Sequence, residues 1–311
     1  LERKTAKLNI MKIKFREPRL SKQNHLRLEM VNSIIEEYQA AGYTLTIRQL
    51  YYQLVSRDII PNADKEYGKV GALLKEGRMG GIVDWNAIED RLRKPSKPSS
   101  WENPASILDS CINSYAKDRQ EGQPTYMEVW VEKDALSGVL KRVTEKYHVR
   151  IMVNRGYSSV SAMYDAFMRF VNYGAYAQRP SKILYLGDFD PSGLDMIRDI
   201  STRIEEFKEG YDDGDWVRNM KFEIQPIALT MDQVEEYNPP PNPAKLTDSR
   251  AADFVRQYGY SSWEVDALRP EVLNEVLKDA IVKEMDMGQY RKVLKEEIED
   301  KQILTTLKES L

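Results

Sequence analysis

The sequence predicts an α/β chain in two unlike parts: a helical N-terminal module, then a longer segment built on a mainly parallel sheet. Three observations carry this. From about residue 105, apolar runs of strand length alternate with amphipathic helical stretches, the pattern of parallel sheets. Before residue 94 the apolar spacing is almost entirely helical. Between the two, Arg93-Lys94-Pro95-Ser96-Lys97-Pro98-Ser99-Ser100 is rich in Pro, Ser and Lys and has no apolar period, as linkers do. The expected organisation is therefore residues 1–94, a linker at 95–104, and residues 105–311 ending in a helical extension. A length of 311 residues suits two domains.

In the first part, residues about 21–40 read as a helix, with Leu26, Met30, Ile34 and Tyr38 at four-residue steps and Gly42 as a stop. Thr46 caps a second helix, Ile47 to Arg57, and Ile59-Ile60-Pro61-Asn62 makes a turn. Asp64 opens a third helix, about 65–77, which ends at Gly77, Gly80 and Gly81, and Ile82-Val83 suggests a short strand. Three short helices and a small β element suggest a helix-turn-helix or winged-helix module that docks on DNA. Lys69, Lys75 and Arg78 lie on or just after its third helix, and Arg91 and Arg93 follow; these five are its candidate DNA contacts. A plain three-helix bundle with solvated lysines fits the same pattern.

In the second part, a helix around Ile107–Tyr115 precedes strands at Tyr126–Val131, Val149–Val153, Ile183–Leu186 and Phe222–Ile227. Helices marked by Leu136–Val143, Val160–Val171 and Leu194–Ile204 separate them. Asn238-Pro239-Pro240-Pro241-Asn242-Pro243 must be extended.

Composition narrows the chemistry. No apolar run approaches the ~18 residues of a membrane span, and the basic first twenty residues lack the apolar core of a secretory signal. A cytoplasmic protein is expected, nucleoid-associated in a prokaryote. A lone Cys111 excludes an internal disulfide and a Cys-based zinc site, and His25 and His148 are too few for a His-rich one. Any metal would then rest on carboxylates, which favours Mg²⁺-like ions. The net charge of −3 hides a split. Residues 1–100 hold 19 Lys and Arg against 12 Asp and Glu, a net +7; the remainder holds 27 against 37, a net −10. A basic front suggests a polyanion-binding module.

In parallel sheets, function gathers at the carboxyl ends of strands. Glu132 ends the first strand, and Asp188 and Asp190 end the third, so the three carboxylates can converge. Converging carboxylates repel unless protonated or bridged by a cation, which implies a divalent ion able to clamp a phosphodiester. Asp190 before Pro191 is also a good helix N-cap. An aspartyl-phosphate phosphatase acting through Asp188 is a further reading, but it leaves Glu132 and the basic module without a role. A calcium loop at 188–199 fails, because an apolar strand precedes it, Pro191 interrupts it and its last position is Asp199.

On the second helix, Ile47, Leu50, Tyr51, Leu54 and Val55 form one apolar stripe, which puts Tyr51 in the core. Tyr52 falls off the stripe, one turn from Arg48, so both are expected on the outer face. A nearby cation favours the phenolate of a tyrosine whose ordinary pKa is ~10. That makes Tyr52 a candidate nucleophile and Arg48 its partner; a surface tyrosine stacked on arginine is the plainer alternative.

Arg48-Gln49-Leu50-Tyr51-Tyr52 resembles the tyrosine motif of the A subunit of DNA topoisomerase VI and of the related meiotic double-strand-break transesterase. Val131-Glu132-Lys133-Asp134-Ala135 resembles that family's glutamate motif, and Asp188-Phe189-Asp190-Pro191-Ser192-Gly193 its Asp-x-Asp-Pro-x-Gly motif. Trp263-Glu264-Val265-Asp266-Ala267-Leu268 is similar to a C-terminal stretch there. The motifs stand in the family's order and cover most of residues 44–285. The resemblance implies a winged-helix domain bearing the nucleophile Tyr52, then a Toprim domain whose Glu132, Asp188 and Asp190 hold Mg²⁺. It also implies a homodimer on double-stranded DNA, in which the tyrosine of one copy works with the metal site of the other to form a 5′-phosphotyrosyl link. The chain is shorter than a typical A subunit, and residues 62–93 follow the family poorly. No ATP-binding signature is present, so strand passage would need a separate ATPase subunit. A Toprim nuclease using metal-activated water and a non-catalytic DNA-binding relative are the alternatives.

Overall fold

The structure is a computed structural model that describes residues 11–88, 98–154, 156, 158–211, 215–245, 248 and 250–309. The chain divides into two bodies: Leu1–Lys94 with Met231–Val272, and Pro95–Thr230 with Leu273–Leu311. The chain therefore changes body at residues 231 and 273 as well as near 94. Among the described residues, no helix is long and apolar enough to cross a membrane.

The first body begins with α1 (Lys22–Ala40), capped by the Ser21 hydroxyl accepting from the Asn24 amide. Its buried side is Leu28, Val31, Ile34, Ile35 and Tyr38. Leu26 and Met30 are instead 52% and 47% exposed. The cause is geometric: each four-residue step overshoots a helical turn by ~40°, so three steps rotate ~120° and carry Leu26 off the face that Tyr38 buries. Next comes α2 (Ile47–Ser56), opened by a reciprocal capping box between Thr46 and Gln49. It is followed by α3 (Asp64–Met79). Ile82-Val83 is not a strand. Both amides bond the Gly77 carbonyl, at 2.8 and 3.1 Å, and wrap the end of α3. A Cβ on Gly77 would meet Val83 at 2.8 Å and Leu28 at 2.9 Å, so glycine lets this turn close on the core.

The second body starts with α4 (Pro104–Ser114) and is centred on a four-stranded sheet. Its elements are β1 (Tyr126–Val131), α5 (Asp134–Tyr147), β2 (Arg150–Val153), α6 (Val160–Phe170), β3 (Ser181–Leu186), α7 (Pro191–Gly210), the short α8 (Asp215–Arg218) and β4 (Phe222–Ala228). The strand order is β2-β1-β3-β4, and every pairing is parallel. The alternation expected from sequence is present, with all four strands within a few residues of their predicted positions. One face of the sheet packs Tyr126, Trp130, Ile183 and Tyr185 with Phe167 and Phe170 of α6 and Ile200 and Ile204 of α7.

From Met231 the chain supplies α9 (Met231–Tyr237) to the first body, then the pair β5 (Asn242–Pro243) and β6 (Ser261–Ser262) with α10 (Ala251–Tyr258) between them. It continues through α11 (Pro270–Glu284) and ends in α12 (Met287–Glu309), the expected helical extension. In the second body, α12 holds the 115–119 segment through Tyr115–Asp300, Lys117–Glu296 and Arg119–Glu297 contacts.

One acid in β1 went unnoticed in the sequence. Glu128 is fully buried, and both its oxygens are saturated. Oε1 accepts from Tyr126 Oη at 2.7 Å and Arg169 Nε at 2.6 Å; Oε2 accepts from Trp130 Nε1 and Arg169 Nη2, both at 2.9 Å. Removing one partner of a buried pair leaves an uncompensated charge. Arg169→Ala is therefore expected to cost about 3–5 kcal/mol, read as a lower denaturant midpoint for the body that contains the sheet.

Candidate functional site

The carboxylate cluster is a product of strand register. β1 and β3 are neighbours, with Val131 opposite Leu186. The residues that follow each strand therefore emerge side by side, and the Glu132 amide bonds the Leu186 carbonyl at 2.9 Å. One step later the Asp188 amide donates to Glu132 Oε2 at 3.0 Å. Glu132 and Asp188 are thus neighbours, whereas the sequence reading expects Asp190 to converge with them.

Asp190 is placed differently. Its Oδ1 accepts from the Gly193 amide at 2.6 Å, and Pro191 takes the first position of α7, so it is the helix cap. A Cβ on Gly193 would lie 2.2 Å from the Asp188 carbonyl oxygen; glycine allows the first turn of α7 to press against this loop. Asp190 still acts on the cluster. The charges of Glu132, Asp188 and Asp190, after burial, all push the Tyr185 phenol well above its ordinary range.

Part of the repulsion that the sequence assigns to a metal ion is relieved by Lys133. Lys133 Nζ lies 2.7 Å from Asp188 Oδ1, and both side chains are largely buried. Glu132 is pushed up to about 7, first by burial and then by the Asp188 charge, with Asp190 contributing least. The Asp188 amide and Lys133 work in the opposite direction. Burial and the Asp188 charge thus favour the protonated form of Glu132. The donors are hard carboxylates, the type that oxygen-liganded divalent cations take, but among the described residues Glu132, Asp188 and Asp190 do not bring three ligand atoms within 4.8 Å of one another.

Tyr52 and Arg48 sit in the first body. Thr46 starts the helix so that Arg48 and Tyr52 lie one turn apart, and the guanidinium is 5.6 Å from the Tyr52 ring centroid. Their association is as expected, but their exposure is not. Tyr52 is only 4% exposed and belongs to the core with Tyr51, Leu54 and Val55. Residues 49 to 55 of α2 are all buried, because the helix is enclosed on more faces than its apolar stripe implies. Its ring packs edge-on against Tyr51 at 5.2 Å. The Tyr51 hydroxyl donates to Asn62 Oδ1 and accepts from the Ala63 amide, each at 2.9 Å.

Arg48 is also engaged. Its Nε lies 2.8 Å from the buried Asp266 carboxylate, and its Nη2 pairs with Glu264. Both acids come from the Trp263–Leu268 stretch, which sequence comparison singled out without assigning a role.

The candidate DNA contacts divide. Lys75 is exposed on α3. Lys69 is exposed and pairs with Glu66 at 2.5 Å. Arg78 turns inward: Nη2 donates to the Trp85 carbonyl at 2.8 Å, and the guanidinium stacks 4.6 Å from the Trp85 ring. Burial lowers its pKa. Its planar group finds a better partner in the indole face than in water, which sequence spacing could not reveal. Arg91 and Arg93 lie outside the described residues.

No protein-family model, no curated protein and no solved structure matches the chain.

A carboxyl held near 7 in the folded state binds a proton that the unfolded chain releases near its ordinary value of 4.5. Between those pH values the native state holds more protons, so stability falls as pH rises. Glu132→Gln removes that penalty. In metal-free buffer it is expected to raise unfolding stability by up to about 3 kcal/mol at pH 8, with the gain vanishing towards pH 4.5, as measured by denaturant titration at each pH.

Proposed function

We propose that this chain is a Mg²⁺-dependent DNA-cleaving transesterase of the topoisomerase VI A type. Residues 1–94 would include a winged-helix module that bears Tyr52, and the parallel-sheet body would be of the Toprim type. The observation that carries the reading is the pairing of Glu132 with Asp188 at the carboxyl ends of adjacent strands, with Glu132 raised to about 7. The ordered tyrosine, glutamate and Asp-x-Asp motifs support it, as does Arg48 beside the Tyr52 ring.

Glu132, Asp188 and Asp190 would hold the metal ion, and Lys133 orients Asp188. A divalent ion held there would supply positive charge to offset the charge that develops on the reacting phosphate. Arg48 favours the phenolate of Tyr52 by its charge. Tyr52 Oη then bonds to phosphorus as the bond to the 3′ oxygen breaks. The phenolic proton passes to solvent, and the 3′ oxygen takes up a proton. The products are a 5′-phosphotyrosyl link and a free 3′ hydroxyl, with no net change in bond type, so the step is reversible. The reading includes a homodimer in which Tyr52 of one copy works with the carboxylates of its partner, and a separate ATPase subunit for any strand passage.

A second reading has a specific observation behind it. Tyr52 is 4% exposed and Arg48 is held by Glu264 and Asp266, which favours attack by water, with Tyr52 serving the fold. Trapping separates the two. Protein denatured after incubation with end-labelled duplex and Mg²⁺ is expected to carry DNA covalently, and both Tyr52→Phe and Asp188→Ala should abolish the adduct. Cutting that survives in Tyr52→Phe and is lost in Asp188→Ala would establish the hydrolytic mechanism instead.

A further inference from the structure

A cavity lies at the end of the sheet opposite the Glu132–Asp188 pair. Pro180 precedes β3 and Lys221 precedes β4, and between them a pocket of about 460 Å³ opens at the amino ends of these strands. It is one strand length, roughly 17–20 Å, from the carboxyl-end acids. Its functional lining is Arg179, Asp215, Trp216, Asn219 and Lys221. The volume falls within the range of small-molecule sites.

Two features distinguish it from an ordinary surface hollow. The first is Arg179. Its Nε donates to the Tyr173 carbonyl at 2.7 Å, and its Nη1 to the carbonyls of Gln120 and Gln123 at 2.8 and 3.1 Å. The guanidinium is thus fixed rigidly by backbone. Among the described residues no carboxylate lies within ion-pair distance of it and Nη2 has no hydrogen-bond partner; its guanidinium lies 5.6 Å from the Tyr126 ring centroid. Burial makes its charge costlier, and the more distant Asp118 carboxylate offsets this only in part. A half-buried, pre-oriented cation with no anion in contact can receive one. The second is Trp216, which lines the pocket and is 59% exposed as a residue, although large aromatic side chains ordinarily bury most of their surface. Lys221 adds a second exposed cation, and Asp215 and Asn219 supply hydrogen-bonding groups for a polar edge.

We propose that this pocket binds a nucleotide, with the base stacked on Trp216 and the phosphate held by Arg179 and Lys221. A flat π-face beside fixed cations is the arrangement by which proteins hold unpaired nucleotides. Asp215 leaves the lining at a net single positive charge and accepts from an exocyclic amine or a sugar hydroxyl. The ligand is either a free mononucleotide or the terminal nucleotide of a strand, since both present the same base and phosphate. The assignment does not depend on Tyr52 or on metal binding.

The test uses the full chain with thymidine 5′-monophosphate and a 5′-phosphorylated hexathymidylate, followed by tryptophan fluorescence and calorimetry. At least one of them is expected to bind and quench. Trp216→Ala should weaken that binding by at least tenfold and abolish the quench, and Lys221→Glu should weaken it similarly. Thymidine and inorganic phosphate should each bind less tightly than the monophosphate, if the monophosphate binds. Binding of the hexanucleotide alone, lost in Trp216→Ala, identifies a strand end as the ligand. Absence of binding by both probes at millimolar concentration, or equal binding by wild type and Trp216→Ala, overturns the proposal. Asp188→Ala should leave this binding intact, so failure of cleavage and failure of the pocket are read separately.

Discussion

The parallel, in-register pairing of β1 with β3 sets the Asp188 amide on the Glu132 carboxylate and makes the two acids neighbours, and the electrostatics of this end of the sheet follow from that. Neither Glu132 nor Asp188 can move away, because each leaves a buried strand whose next amide is already bonded to the neighbouring strand. Their repulsion is met in three ways: Lys133 pairs with Asp188, the Asp188 amide donates to Glu132, and Glu132 retains a proton to about pH 7. The last is only a partial remedy, and in the proposed function a cation would take the place of that proton. Burial sharpens this, since a low-dielectric setting strengthens both the repulsion and its relief.

The first body holds its own charged group by a related balance. Arg48 sits between the carboxylates of Asp266 and Glu264 on one side and the Tyr52 ring on the other. The acids fix the guanidinium, and the guanidinium fixes the ring. For a transesterase this is pre-organisation of a tyrosine next to a cation; for a nuclease it is part of the core. The same contacts serve either purpose, so exposure of the Tyr52 hydroxyl during turnover separates them.

Much of this was legible in the sequence because it depends on local periodicity. The β1–β4 alternation, the Thr46 cap, the Asp190 cap and the juxtaposition of Glu132 with Asp188 all follow from short-range pattern and the geometry of parallel strands. Features that depend on distant partners were not legible. Tyr52 reads as exposed from its position off an apolar stripe, yet tertiary packing encloses its helix. Arg78 reads as a DNA contact until Trp85, seven residues on, is folded against it. Lys133 and Glu128 were passed over because an acid–base pair needs a second strand or helix to make it visible. The return of residues 231–272 to the first body is marked in the sequence only by the Pro-rich break at 238–243; which body the segment joins is not legible, since contact between segments far apart in sequence leaves no periodic trace.

The claim on which the rest depends is that the Glu132–Asp188 pair exchanges a proton for a divalent cation. Calorimetric titration of the metal-free protein with Mg²⁺ at pH 7, in buffers of different ionisation enthalpy, measures that exchange. The expected result is binding accompanied by proton release, because the raised Glu132 carboxyl gives up its proton to the cation, with the release lost in Glu132→Gln. Mg²⁺ binding with no proton release, or release unchanged in Glu132→Gln, would contradict it.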